Sequence, residues 1–220
     1  ITDYKGYSVS GANKLQTLKL SAGAPDLSNF KAQGNPALRE IIFPEGIEKI
    51  GDTTFAGNIK LKTVKLPSTL TDIGRSAFAS AIESLEIPAN VKEIDSSNHS
   101  LAGMSKLKTL VLNDGLEKID SYSFSSLGAL ENVYIPKSVT EMGTGIFSGL
   151  DNLENVTFQE GLTVIGDNLF QGCANLREII IPNSIKNIPD NLFTGVANLN
   201  LIILPEELDS IGGDGLFSCG

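Results

Sequence analysis

The feature that most constrains this chain is a period of 23 residues. The unit is clearest in Leu153-Glu-Asn-Val-Thr-Phe158-Gln-Glu-Gly-Leu162-Thr-Val-Ile165-Gly-Asp-Asn-Leu-Phe170-Gln-Gly-Cys-Ala-Asn175, and Leu176 starts it again. Units begin at Leu15, Leu38, Leu61, Ile82, Leu107, Leu130, Leu153, Leu176 and Leu199. One step of 21 residues is followed by one of 25, so the register recovers. A fixed period of this length is the signature of a stack of like coils.

Each unit carries six apolar residues at fixed offsets, such as Leu61, Val64, Leu66, Leu70, Ile73 and Phe78 in the third, and Leu176, Ile179, Ile181, Ile185, Ile188 and Phe193 in the eighth. The pair two apart, Val64 and Leu66, alternates with polar neighbours and predicts a short strand. Proline follows at Pro44, Pro67, Pro88, Pro136, Pro182 and Pro205; lacking an N–H, it suits the position just past a strand end. The second pair, three apart, brings the chain back along the opposite wall. A small polar turn and a short helical turn then carry the Phe inward. No unit can bury its own apolar face, so stability requires several stacked neighbours. A buried Leu or Phe contributes roughly 1.5–3 kcal/mol, set against the ordering entropy of each coil. The expected fold is one right-handed solenoid of about nine coils with parallel strands. At about 4.8 Å per strand it spans on the order of 40 Å.

The departures from the pattern are specific. The first unit lacks Phe in the usual slot, where Phe30 is the candidate substitute. The unit at Ile82 lacks it too, and counting back from Leu107 puts Leu101 there, with Asp95-Ser-Ser-Asn-His-Ser100 as a bulged turn. Residues 1–14, with Tyr4 and Tyr7, are expected as an N-terminal cap and 15–220 as a single repeat domain. The last unit ends at Cys219-Gly220 without a capping segment, so either the chain was cut there or something packs on that end.

Composition narrows the function. A formal net charge of -9 without a basic run disfavours nucleic acid and anionic membrane surfaces. No apolar run is long enough for a membrane span. Cys173 and Cys219 fall near the same place two repeats apart, hence roughly 10 Å apart by strand spacing, beyond disulfide reach. They read as two small buried side chains. His99 is the single histidine and lies far in repeat number from either Cys, which disfavours a Ser–His or Cys–His nucleophile. Asp52, Asp167 and Asp190 recur in the turn after the second pair and are expected to cap the short helical turn; calcium is the alternative reading. No catalytic, metal or cofactor residues are assigned. Asn98-His99-Ser100 and Asn155-Val-Thr157 match the glycosylation triplet, a common chance match.

The unit Leu-x-x-Ile-x-Leu-Pro-x-x-Leu-x-x-Ile-Gly-x-x-x-Phe, read almost position for position in Leu61–Phe78, resembles the BspA-like leucine-rich repeat family. The resemblance covers roughly residues 15–219. It implies a curved α/β solenoid with a parallel sheet on the concave side and short strands with 3₁₀ or one-turn helices on the convex side. It implies a bacterial surface or secreted protein with a role in adhesion or partner binding, and it carries no catalytic motif.

On such a sheet two columns point outward. One reads Thr17, Glu40, Thr63, Ser84, Thr109, Asn132, Asn155, Glu178, Leu201; the other reads Lys19, Ile42, Lys65, Glu86, Val111, Tyr134, Thr157, Ile180, Ile203. Apolar members gather toward the C-terminal coils. Ile180, Leu201 and Ile203, with Val111 and Tyr134 further back, are the candidate partner-binding residues; strand propensity alone is the competing explanation. The expected function is a non-catalytic, surface-exposed or secreted module that binds a protein or glycan through this sheet. The alternative is a structural spacer that self-associates through the C-terminal coil at Leu216 and Phe217. An enzyme ranks a distant third.

Overall fold

A computed structural model describes residues 6–95 and 101–213. Among these residues the repeat becomes eighteen short strands, two per coil. The first of each coil are β1 (Thr17–Lys19), β3 (Glu40–Ile42), β5 (Thr63–Val64), β7 (Ser84–Ile87), β9 (Thr109–Leu112), β11 (Asn132–Ile135), β13 (Asn155–Phe158), β15 (Glu178–Ile180) and β17 (Leu201–Ile203). The second are β2 (Asp26–Leu27), β4 (Lys49–Ile50), β6 (Asp72–Ile73), β8 (Glu93–Ile94), β10 (Lys118–Ile119), β12 (Glu141–Met142), β14 (Val164–Ile165), β16 (Asn187–Ile188) and β18 (Ser210–Ile211). Every strand pairing is parallel, each strand with its equivalent in the next coil. The concave sheet has a continuous five-strand run β5-β7-β9-β11-β13, flanked by the pairs β1-β3 and β15-β17.

The core is the interior of the stack. Phe55, Phe78, Phe124, Phe147, Phe170 and Phe193 are all essentially fully buried. Their rings stack coil on coil: Phe147 on Phe170 at 5.4 Å and Phe170 on Phe193 at 5.6 Å, nearly parallel. Leu101 takes the slot in the fourth coil, buried as the spacing predicts. In the first coil Ala32 stands in the slot, and Phe30 reaches Phe55 from two residues earlier at 6.2 Å.

Two expectations need correction. The segments that carry the Phe are not helical: among the described residues none is α- or 3₁₀-helical, and these stretches are hydrogen-bonded turns. The physical reason is competition between bonding within the coil and bonding between coils. Thr54 and Ala56 N–H donate back three residues, to Gly51 and Thr53 oxygens, as a 3₁₀ turn would. The alternate donors leave the coil, however: Thr53, Phe55 and Gly57 N–H go to the carbonyls of Arg75, Ala77 and Ala79. The same interlock recurs from Gly145, Phe147 and Gly149 to Asp167, Leu169 and Gln171. It amounts to further parallel bonding between coils, and in these turns Thr53, Ser76, Tyr122, Asn168 and Asn191 take positive φ, which a helix excludes.

The carboxylates expected as helix caps are the second correction. Asp52 Oδ1 accepts from Arg75 N–H at 2.8 Å, and Asp190 Oδ1 from Gly213 N–H at 2.8 Å. Asp167 Oδ1 accepts from Asp190 N–H at 3.2 Å. Each ties its coil to the next, 23 residues on, because there is no helix end to cap. Glycine is required just before Asp52 and Asp167: a Cβ at Gly51 would overlap the Ser28 backbone, and one at Gly166 the Thr144 amide. The described part of the expected N-terminal cap keeps the register as well. Ser8 bridges Lys31, and Ala12 N–H donates to Asn35 Oδ1 at 2.7 Å, so residues 7–12 lie over the first full coil as the end of another.

Candidate binding face

The strands of the concave sheet alternate inward and outward because their side-chain period is two. Val133 and Ile135 of β11 are buried, while Asn132 and Tyr134 face out. The pairing register then sets the outward columns: Asn132 opposite Asn155, Tyr134 opposite Thr157, Glu178 opposite Leu201, Ile180 opposite Ile203. All five candidate residues are exposed, from Val111 at 42% to Ile180 at 59%. Of the eleven large hydrophobic side chains exposed among the described residues, six lie on this sheet, Ile42 being the sixth.

The structure brings the candidates into two groups. Ile180, Leu201 and Ile203 are contiguous on the paired strands β15 and β17. Val111 and Tyr134 lie on the neighbouring strands β9 and β11. Thr157 of β13 separates the groups. β13 and β15 run side by side without ladder bonds, and a shallow cleft lined by Thr157, Phe158, Glu178 and Ile180 opens between them. Asn155 Nδ2 donates to Asn132 Oδ1 at 2.8 Å, so the polar column beside Tyr134 is already satisfied internally.

Ion pairs link neighbouring coils along the edge of this sheet: Lys62 to Glu83 at 2.6 Å and Lys108 to Glu131 at 3.8 Å. The Lys62 hydrogen bond and charge hold the Glu83 carboxyl below its ordinary value. On the opposite wall Lys118 lies between Glu93 at 3.3 Å and Glu141 at 3.9 Å, and the Glu93 bond raises its ammonium pKa.

Cys173 is fully buried, as expected for a small core side chain, and its thiol donates to Phe147 O at 3.0 Å. Burial pushes the thiol up to about 12. Cys219, His99, Tyr4, Leu216 and Phe217 lie outside the described residues. Among the described residues no group of three or more His, Cys, Asp or Glu side chains converges on a point, and no helix is long and apolar enough to cross a membrane.

A groove of about 620 Å³ that no motif in the sequence marks lies at the N-terminal side of the same sheet, lined by Thr63, Lys65, Ser84, Glu86, Asn90 and Asn113 among others.

Parallel short strands, a stacked Phe core and an exposed ruled sheet define a leucine-rich-repeat solenoid. The chain belongs to the BspA type leucine rich repeat family, whose model matches six copies over residues 26–153 and 117–220. It is similar in structure to a leucine-rich repeat protein of T. pallidum, with 28% identity, a TM-score of 0.64, and coverage of 72% of this chain and 78% of that one. It shares its fold with the pneumococcal vaccine antigen PcpA, at 21% identity and a TM-score of 0.54, covering 93% of this chain and 70% of that one. A leucine-rich repeat protein of Eubacterium ventriosum gives 17% identity, a TM-score of 0.53, and coverage of 93% and 76%. No curated protein matches the sequence.

Proposed function

We propose that the protein is a non-catalytic binding module, displayed on a cell surface or secreted, that grips a protein partner with the C-terminal half of its concave sheet. The observation that supports it is the gathering of Ile180, Leu201 and Ile203, with Tyr134 and Val111 alongside, on a sheet whose other outward positions are mostly polar. Exposed apolar surface of this kind is a common mark of an interface, and an aromatic such as Tyr134 suits an anchor. The short ladders fix these side chains on a rigid backbone, so binding them costs little further ordering. Membership of a family of repeat proteins supports both the role and the surface location.

The test is capture from a panel of purified extracellular proteins by the wild-type chain and by Ile180→Asp, Tyr134→Ala and Lys108→Ala variants. A protein partner is expected to be lost with Ile180→Asp, weakened with Tyr134→Ala and kept with Lys108→Ala, at unchanged circular dichroism and Tm. Partner capture that ignores Ile180→Asp, or concentration-dependent self-association without any other partner, overturns the reading.

A further inference from the structure

A groove opens beside β5 and β7, where only Thr63 opposite Ser84 and Val64 opposite Leu85 are paired positions. Beyond Val64 the chains part, while β7 continues alongside β9 as far as Ile87. The opening has an apolar floor of Val64, Leu66, Pro88 and Ala89. Its volume of about 620 Å³ falls in the range of small-ligand sites.

Both walls are fixed by hydrogen bonds. On one side Ser68 Oγ donates to Glu45 Oε2 at 2.9 Å, and Asn90 Nδ2 donates to Ser68 O at 2.8 Å. The Ser68 hydroxyl and amide, with a smaller contribution from the Lys65 charge, hold the Glu45 carboxyl below its ordinary value. On the other side Asn113 replaces the usual proline, and its Nδ2 donates to Glu86 Oε1 at 2.9 Å. Inside these walls the polar groups are unspent. Lys65 makes no hydrogen bond or ion pair within the described residues, and neither do the hydroxyls of Thr63 and Ser84; Glu86 keeps its second oxygen. Two outward pairs elsewhere on the sheet do bond to each other, Thr17 with Glu40 and Asn132 with Asn155.

We propose that this groove binds a short, uncharged oligosaccharide. Sugar hydroxyls are donors and acceptors at once. They match an ammonium, a carboxylate oxygen and two hydroxyls held at fixed spacing, while the C–H face of a ring covers the apolar floor. The lining carries the carboxylates of Glu45 and Glu86 against the one ammonium of Lys65, so an anionic ligand is disfavoured. The site is separate from Ile180, Leu201 and Ile203, and it stands or falls independently of the protein partner.

The experiment is saturation-transfer NMR and calorimetry on the full chain with maltotriose, mannotriose and triacetylchitotriose. At least one trisaccharide is expected to bind at up to about 10 mM, with Lys65→Ala and Asn113→Ala each weakening it about tenfold or more. Ser84→Trp, which fills the groove from an accessible position, abolishes binding, and Ile180→Asp leaves it unchanged. Absence of binding by all three sugars overturns the proposal. So does binding that survives Ser84→Trp, or occupation of the groove by an unglycosylated peptide in their place.

Discussion

In the N-terminal coils the position three residues after the Phe slot holds Asn35 and Asn58; in the C-terminal coils it holds Leu150, Cys173 and Val196. All five side chains are buried. The asparagines form a ladder: Asn58 Oδ1 accepts from Asn35 N–H at 2.9 Å, Asn58 Nδ2 donates to Phe55 O at 2.6 Å and to Ala32 O at 3.0 Å, and Asn35 Oδ1 accepts from Ala12 N–H. At the C-terminal end Cys173 keeps one of these bonds. Its thiol reaches the carbonyl 26 residues back, Phe147, as the Asn58 amide reaches Ala32. In a solenoid each slot meets mainly its equivalents in adjacent coils. Its chemistry can therefore change along the stack provided that neighbours agree, and a polar run must be satisfied by its own members.

The comparison is sharpened first by a change that should treat both halves alike. Phe55 meets Phe30, Phe43 and Phe78, and Phe170 meets Phe147, Phe158 and Phe193. Phe55→Ala and Phe170→Ala should each cost about 3–5 kcal/mol, measured by urea unfolding. Phe78→Ala, with one ring neighbour and Leu101 on its other side, should fall at the low end. A large inequality between Phe55 and Phe170 would show that the two halves differ in more than the polar slot.

The polar slot itself comes next. Asn58→Leu removes the acceptor of a buried amide and the donor to two buried carbonyls, and should destabilise by about 1–3 kcal/mol. The double change Asn35→Leu with Asn58→Leu should cost more than the sum of the single changes, because both side-chain amides donate to Ala32 O and only the double change leaves that carbonyl bare. Full additivity would mean that the ladder is not a unit. Leu150→Asn, which places an amide where Leu127 and Cys173 offer no matching partner, should be destabilising by a similar amount.

How much of this could be read from the sequence depends on what each feature rests on. The stack, the strand pairs, Leu101 in the Phe slot and the exposure of Val111, Tyr134, Ile180, Leu201 and Ile203 all follow from periodicity, since burial in a repeat is a property of register. The turns in place of helices do not. An i to i+3 pattern is visible in the spacing of Gly51, Thr54 and Phe55, but the capture of alternate amides by the next coil depends on the stacking distance. The Asp52 and Asp190 bonds escape a reading of the sequence for the same reason: the acceptor is local and the donor is 23 residues away. The groove needed three dimensions, because Lys65, Glu86 and Asn113 come from three coils.

Cys173 offers a test with a sign that depends on pH. Burial disfavours the thiolate and pushes the thiol up from its ordinary 9.0 to about 12. The raised value means that its contribution is fully present below about 9 and is lost as pH rises toward about 12. Cys173→Val should therefore be nearly neutral at pH 7 and should flatten the loss of stability above pH 9. A thiol reagent at pH 8 should label Cys173 only on unfolding. Rapid labelling of the folded chain would contradict the buried, hydrogen-bonded thiol.

The smallest effect is expected at the exposed triad on the opposite wall, and it closes the comparison between what joins coils inside and outside. Glu93, Lys118 and Glu141 are all solvent-exposed on side chains, and pairs of this kind are weakened by water, salt and side-chain entropy. The inner bonds of Asn58 have no such competitor. Lys118→Met should thus change the unfolding midpoint little, and the small change should vanish in high salt, whereas the loss in Asn58→Leu should be independent of salt. A salt-insensitive loss at Lys118 as large as that at Asn58 would mean that the outer ion pairs, rather than the buried ladders, hold one coil to the next.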